Sequence, residues 1–132
     1  MVIDSSALVA IVRREAEGPA MVRAMAGAKC VMSAVTLLES SIVVEGRWGS
    51  VLMEHLEFLL QGARVEVIPF DEVQAKAARR AWRKYGKGRH PAGLNLGDCC
   101  VYALAELRDE PILAKGNDFA LTPIQVIALD SV

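Results

Sequence analysis

Short β-branched runs alternate along this chain with longer stretches of helical periodicity. Val2-Ile3 reads as a strand cut off by Asp4-Ser5-Ser6, and residues 7–14 follow with helical spacing. Gly18-Pro19 marks a turn, and residues 20–26 form a second helix ended by Gly27. Residues 29–32 make another short apolar run, after which Ser33 caps a helix over 34–48. Gly49-Ser50 restarts a helix over 51–60, and the strand 65–68 is stopped by Pro69. Asp71 caps a helix over 72–85. Residues 86–93, with three glycines and a proline, are a loop. Asn95 caps a helix over 96–107; a strand at 111–114, a loop at 115–119 and a last strand at 124–129 complete the chain.

Strands of four or five residues separated by helices predict βαβ units and a short, mostly parallel central sheet. Such a sheet carries helices on both faces, a three-layer α/β/α arrangement, and binds its ligands beyond the C-terminal strand ends. A length of 132 residues predicts one domain, 1–132. With 53% apolar and 23% charged residues the chain is not disordered. The net charge of −1 gives no global field for nucleic acid, so any such site must come from local clustering. Three cysteines, two of them adjacent at Cys99 and Cys100, make neither a disulfide framework nor a zinc site. They read as small buried hydrophobes of a reducing cytoplasm. No stretch has the pattern of an export signal or a membrane span.

Four acids stand where surface acids are not expected. Asp4 directly follows the first strand, and Asp118 lies in the loop after the strand at 111–114. Glu39 interrupts an otherwise apolar helix, and Asp98 precedes Cys99-Cys100-Val101-Tyr102-Ala103-Leu104-Ala105, which is too apolar for a surface helix. Each has a structural explanation of its own: Asp4 as an N-cap, Asp98 as a first-turn acid, Asp118 as a turn residue, Glu39 as the partner of a buried Arg. As a set they are costly unless paired or metal-bound. Carboxylates gathered at one sheet edge suit a hard divalent cation such as Mg²⁺.

The residues carrying these acids resemble a family. Met1-Val2-Ile3-Asp4-Ser5-Ser6-Ala7-Leu8, Thr36-Leu37-Leu38-Glu39, Leu94-Asn95-Leu96-Gly97-Asp98-Cys99 and Leu113-Ala114-Lys115-Gly116-Asn117-Asp118-Phe119-Ala120-Leu121-Thr122 occur in order over nearly the whole chain. The chain is similar to PIN domains, specifically VapC-type toxins of VapBC toxin–antitoxin pairs. The resemblance implies a PIN-like fold and Mg²⁺- or Mn²⁺-dependent cleavage of RNA by metal-activated water. It makes Asp4 and Asp98 the principal metal ligands, and Glu39 and Asp118 further catalytic acids. It also implies a VapB-like antitoxin that places a basic side chain in the acidic site. The fourth motif departs from the family pattern: Asn117-Asp118 stands where many relatives have two acids before the Phe, and Pro123 where an acid often follows the Thr. The competing readings are a catalytically weak RNA-binding module and a regulatory receiver-like one; the second wants a further acid beside Asp4, which the chain lacks.

Ser6 can bond Asp4 or a phosphate as readily as cap a helix, and Thr122 can orient the fourth motif or cap a turn. Between Lys76 and His90 lie seven of the 15 Lys and Arg residues and no acid. Arg79, Arg80, Arg83 and Lys84 share roughly one helical face, and Lys87 and Arg89 continue into the loop. These six read as a rail for the RNA backbone. Trp82 and Tyr85 can stack on bases, but their spacing with Val73, Ala77, Ala78 and Ala81 assigns them to core packing. His55 and His90 carry no required role. The helical pair 34–60, with Val43, Val44, Trp48, Val51, Leu52, Leu56 and Leu59, holds more apolar surface than one small core absorbs, which predicts a homodimer.

Overall fold

The computed structural model describes residues 1–129; Asp130, Ser131 and Val132, the end of the expected domain, lie outside them. Four short strands, β1 (Val2–Ile3), β2 (Val31–Ser33), β3 (Glu66–Ile68) and β4 (Ile112–Leu113), form one sheet in the order β3-β2-β1-β4. Every strand pair is parallel: Val2 stands opposite both Val31 and Ile112, and Met32 opposite Val67. Six helices connect them: α1 (Ser5–Val12), α2 (Gly18–Ala26), α3 (Ala34–Trp48), α4 (Ser50–Gly62), α5 (Glu72–Tyr85) and α6 (Leu96–Arg108).

Alternation along the strands divides the core in two. Val2, Val31 and Ile112 face one side and pack with the alanines of α5 and the body of α6. Ile3, Met32 and Leu113 face the other and pack with α1 to α4 through Leu8, Met21, Val44 and Leu56. This is the expected three-layer arrangement: β1, β2 and β4 are buried on both faces as a helix-covered parallel sheet requires, while the edge strand β3 leaves Glu66 and Val67 exposed. Helix α6 is buried continuously from Gly97 to Ala105, which is why its sequence is apolar all round.

Side-chain caps set the helix starts. Ser33, Asp71 and Asn95 accept from Val35, Gln74 and Asp98 backbone N–H groups and begin α3, α5 and α6 at the expected residues. Three expectations fail. The strands run for two or three residues, not four or five. Gly18-Pro19 does not turn the chain but opens α2, since proline suits the first helical turn, where its missing N–H has no partner to lose. Residues 124–129 form no strand; Val126 makes a single parallel bridge to Ile112, with Ile112 donating to Gln125 and Ile127 donating to Ile112.

The chain lays down β1, β2 and β3 in one direction and then returns to place β4 on the far side of β1. The crevice beyond the C-terminal ends of β1 and β4 is therefore the topological switch point, where open α/β sheets bind ligands. Asp4 and the loop 115–119 occupy those two ends.

Candidate metal centre

Asp4 ends β1 and caps α1. Its Oδ2 accepts from the Ser6 backbone N–H at 3.1 Å and from the Ser6 hydroxyl at 2.5 Å. The same hydroxyl accepts from the Lys115 backbone N–H at 2.9 Å. Ser6 thus ties the end of β1 to the loop after β4 and holds both sides of the crevice in register. These bonds use only Oδ2 of Asp4, leaving Oδ1 for another partner.

Asp98 arrives from α6. Its Oδ2 accepts from the Asn95 N–H at 3.1 Å, while Asn95 Oδ1 accepts from the Asp98 N–H at 2.9 Å. The capping box satisfies two helix-end donors and fixes the carboxylate at the helix N-terminus. The first-turn role read from the sequence is real and coexists with membership of the acidic cluster.

Glu39 reaches the cluster from α3 across Gly97. A Cβ built on Gly97 collides with Glu39 Oε2 and lies 2.9 Å from its Cδ and Oε1. Only glycine leaves room for this carboxylate on the first turn of α6. Sequence reasoning passed over Gly97, because spacing along the chain does not reveal that positions 39 and 97 meet. Asp118 is exposed in the loop after β4, yet its charge is felt at both Asp4 and Asp98. Asn117 is also exposed and its carbonyl accepts from Ala120.

Asp4 and Asp98 are only 3% and 9% exposed, and among the described residues none of the four acids forms an ion pair. Burial is the first cause that raises both carboxyls above their ordinary range. For Asp4 the Ser6 bonds oppose it, and the Glu39 and Asp118 charges add to it. Asp98 is pushed up to about 6 by burial, against its Asn95 bond, with Asp4, Asp118 and Glu39 adding repulsion. Buried, mutually repelling carboxylates without a cation are an unbalanced arrangement, and a divalent ion fits it. Among the described residues no three acids, cysteines or histidines converge into a complete metal cage. Mg²⁺ does not ask for one, since it keeps several waters and takes one or two carboxylates plus substrate phosphate oxygens.

A pH dependence follows. The folded-state value of Asp98 lies above the unfolded one. Its stabilising contribution is therefore complete below about pH 4 and is lost as pH rises to about 6. A cation binds the ionised form and cancels the loss. The increase in Tm caused by millimolar Mg²⁺ should thus grow between about pH 5 and pH 7.5, as scanning fluorimetry would record. An increase of equal size at both ends places the cation elsewhere.

A smaller opening of about 350 Å³ adjoins the cluster through Ser6 and Glu39 and brings Arg47 and Lys115 beside it. Glu15 at 3.2 Å and Glu17 at 3.7 Å hold the Lys115 amine. Arg47 was not among the residues singled out from the sequence. Thr122 donates to the Phe119 carbonyl at 2.8 Å and shapes the loop locally. Arg79, Arg80, Arg83, Lys84, Lys87 and Arg89 are all exposed, as a backbone rail requires. Of the α5 residues whose spacing suggested core packing, Tyr85 packs partly buried against Tyr102 and His90, whereas Trp82 is 42% exposed and Val73 60%. Neither Trp82 nor Val73 is the core residue its spacing suggested. His90 accepts from Ala92 N–H at 3.0 Å and shapes its own loop. Burial raises all three cysteine thiols, Cys99 to about 11, so they stay protonated and unreactive.

The PIN domain family matches residues 1–124. The Ribonuclease VapC of Mycolicibacterium smegmatis is 45% identical over 128 residues, covering 96% of this chain and 99% of the relative. Ribonuclease VapC30 of Mycobacterium tuberculosis is 43% identical over 130 residues, covering 98% and 99%. Among solved structures, VapC20 of Mycobacterium tuberculosis, described as a Sarcin-Ricin loop cleaving toxin, superposes with a TM-score of 0.77 at 15% identity, covering 96% of this chain and 97% of that one. A toxin–antitoxin complex from Klebsiella pneumoniae follows with a TM-score of 0.72 at 16% identity, covering 96% and 95%.

Proposed function

The chain belongs to the PIN domain family, and on that premise we propose that it is the endoribonuclease toxin of a toxin–antitoxin pair, dependent on Mg²⁺ or Mn²⁺. The observation that carries this reading is the set of unpaired acids at the switch point, with Asp4 and Asp98 buried and Glu39 and Asp118 adding charge. Asp4 and Asp98 are the metal ligands. Glu39 and Asp118 act beside them, directly or through water. When bound, the cation supplies a water of lowered pKa and neutralises charge on the transferring phosphoryl group. The protein's part is to hold the acids before substrate arrives. Ser6 and Asn95 lock the Asp4 and Asp98 rotamers, Gly97 admits Glu39, and the basic residues of α5 and its following loop hold the polyanion against an otherwise repelling site. The domain extends through residues 1–132. No helix of the described residues is long and apolar enough to cross a membrane, and we place the protein in the cytoplasm.

The direct test is cleavage of a single-stranded RNA with excess EDTA and with Mg²⁺ or Mn²⁺ restored. Cleavage only with the cation supports the reading, and undiminished cleavage in EDTA contradicts it. RNA binding without cleavage at any cation concentration assigns the chain to the RNA-binding alternative.

Neutralising Arg79, Arg80 and Arg83 together should weaken RNA binding and flatten its salt dependence. Each single-strand phosphate contact contributes about 0.7 to the log–log slope, so three lost contacts lower it by about two. Filter binding at several salt concentrations reads this. A wild-type slope in the triple variant makes these arginines a solvated face only.

At the fourth position Asn117 stands in the place of the family's first acid, nearer the Asp4–Asp98 pair, where it offers a carbonyl oxygen but no charge, and Asp118 contributes its charge through water. Asp118→Ala should reduce cleavage without abolishing it, and Asn117→Asp should tighten Mg²⁺ binding measured by calorimetry. The reverse pattern exchanges the two assignments.

The partner reading includes a VapB-like antitoxin and a second copy of the chain. Val44 and Leu56, expected to contribute surplus surface, are fully buried, but Val51 is 63% exposed, and Leu38, Ile42 and Phe58 are exposed at 61%, 63% and 76%. Those four supply the uncovered apolar area that supports an interface on the α3–α4 pair.

A further inference from the structure

Beside Asp98 runs an open groove of about 590 Å³ with walls formed by Phe70, Trp82, Leu94 and Leu96. Leu96, two residues before Asp98, is 76% exposed and Trp82 on α5 is 42% exposed, a large uncovered apolar area. The groove is continuous with the acidic cluster: Asn95, which exchanges both capping hydrogen bonds with Asp98, lines it, as does Cys99. Arg79 and Lys87, both exposed, line it too.

Resting on the ribonuclease reading, we propose that this groove is a nucleobase subsite, which takes the base of a nucleotide next to the scissile phosphate and stacks it on Trp82. Charge and shape together select this occupant. Apolar walls ask for a flat, weakly polar group, and the two cations on the lining ask for an anion attached to it. No acid interrupts residues 76–97, and the charged side chains on the groove lining are the two cations Arg79 and Lys87. A nucleotide supplies both parts, with its base inside and its phosphates on Arg79 and Lys87. Trp82 is held ready. Gly86 lies against the indole, so that a Cβ there stands 2.9 Å from Nε1, and the Arg89 guanidinium covers the ring with its carbon 4.6 Å from the centroid. Arg89 Nε donates to the Arg83 carbonyl at 3.3 Å, which keeps that cation over the ring. A base on the uncovered face completes a stack of guanidinium, indole and base. Asn95 supplies selectivity: its Oδ1 is committed to the Asp98 N–H, which leaves its NH₂ to donate to an acceptor on the base edge. A base with an acceptor facing that amide is preferred over one presenting a donor.

The chain has two tryptophans, so a Trp48→Phe background isolates Trp82 fluorescence. In EDTA, a short single-stranded oligoribonucleotide should quench that emission, and an abasic oligomer of equal length should not. With Mg²⁺, Trp82→Ala should raise KM about tenfold or more with kcat little changed, while Trp82→Phe keeps most of the affinity. Equal quenching by the abasic oligomer, or an unchanged KM in Trp82→Ala, overturns the subsite. So does loss of antitoxin binding in Trp82→Ala with oligonucleotide binding intact, which gives the groove to a protein partner. Failure of the ribonuclease reading is distinct: it appears as absence of cleavage with any cation, whereas the quenching needs neither cation nor turnover.

Discussion

Asp98→Asn abolishes cation-dependent RNA cleavage and, in the absence of cation, raises the melting temperature. A positioned divalent cation contributes several kcal/mol to charge stabilisation in the transition state. The expected fall in kcat/KM is therefore about a thousandfold or more. Opposite signs for activity and stability follow from the same feature. The Asp98 carboxyl is buried, repelled by Asp4, Asp118 and Glu39, and raised to about 6, so at neutral pH it is ionised at a cost to the fold. Asparagine removes the charge and can still accept from the Asn95 N–H through its side-chain oxygen, which preserves that half of the capping box. Each kcal/mol recovered raises Tm by about 3–5 °C in a chain of this size. The Mg²⁺-induced increase in Tm should vanish in the same variant. Circular dichroism checks the fold, and a gel assay reads cleavage. If Asp98→Asn cleaves normally, the site is elsewhere. A loss of cleavage with a Tm lowered by several degrees makes Asp98 a capping residue whose effect on activity is structural.

Gly97→Ala separates activity from stability differently. Ordinarily this substitution in a helix stabilises by about 0.5–1 kcal/mol, because glycine loses more backbone freedom on folding. Here the new methyl takes the space of the Glu39 carboxylate. Its neighbour is the far end of a flexible side chain, so Glu39 rotates away at small cost to the fold. The carboxylate then leaves the cluster. Displacement of a catalytic group by an ångström or more can cost about a hundredfold, and we expect a fall of that order in kcat/KM with an unchanged or higher Tm. Glu39→Gln should give a comparable fall, and the double variant little more than either alone. Full activity in Gly97→Ala would mean that Glu39 does not act from its seat on α6.

These two residues mark the boundary of what was legible in the chain. Local chemistry was readable: Ser33, Asp71 and Asn95 each bond a backbone N–H two or three residues on, so they set the starts of α3, α5 and α6 from sequence. The acids at the ends of β1 and β4 were readable for the same reason, since strand ends and parallel order decide where a loop residue lies. Contacts between distant positions were not. Nothing in the spacing joins Glu39 to Gly97, or Ser6 to Lys115, because those meetings depend on how α3 and α6 cross and how the sheet returns to place β4 beside β1. Trp82 shows a different limit. Helical periodicity correctly buried Ala77, Ala78 and Ala81, but these small side chains bring α5 close against α6 and leave the indole at the edge of the contact. Residues 124–129 had strand composition, yet composition cannot guarantee a partner with enough length: β4 offers two residues, and one bridge results.

The acidic cluster can be tested without reference to turnover. Crystals soaked in Mn²⁺ and measured at the manganese absorption edge locate the ion by its anomalous signal. We expect one strong peak between Asp4 and Asp98, within about 2.0–2.3 Å of a carboxylate oxygen from each. Glu39 and Asp118 should reach it through water. A single ion fits a fourth motif in which Asn117 supplies no charge. A peak confined to other acids, or none at Mn²⁺ concentrations that support cleavage, would contradict a metal centre at the switch point of the sheet.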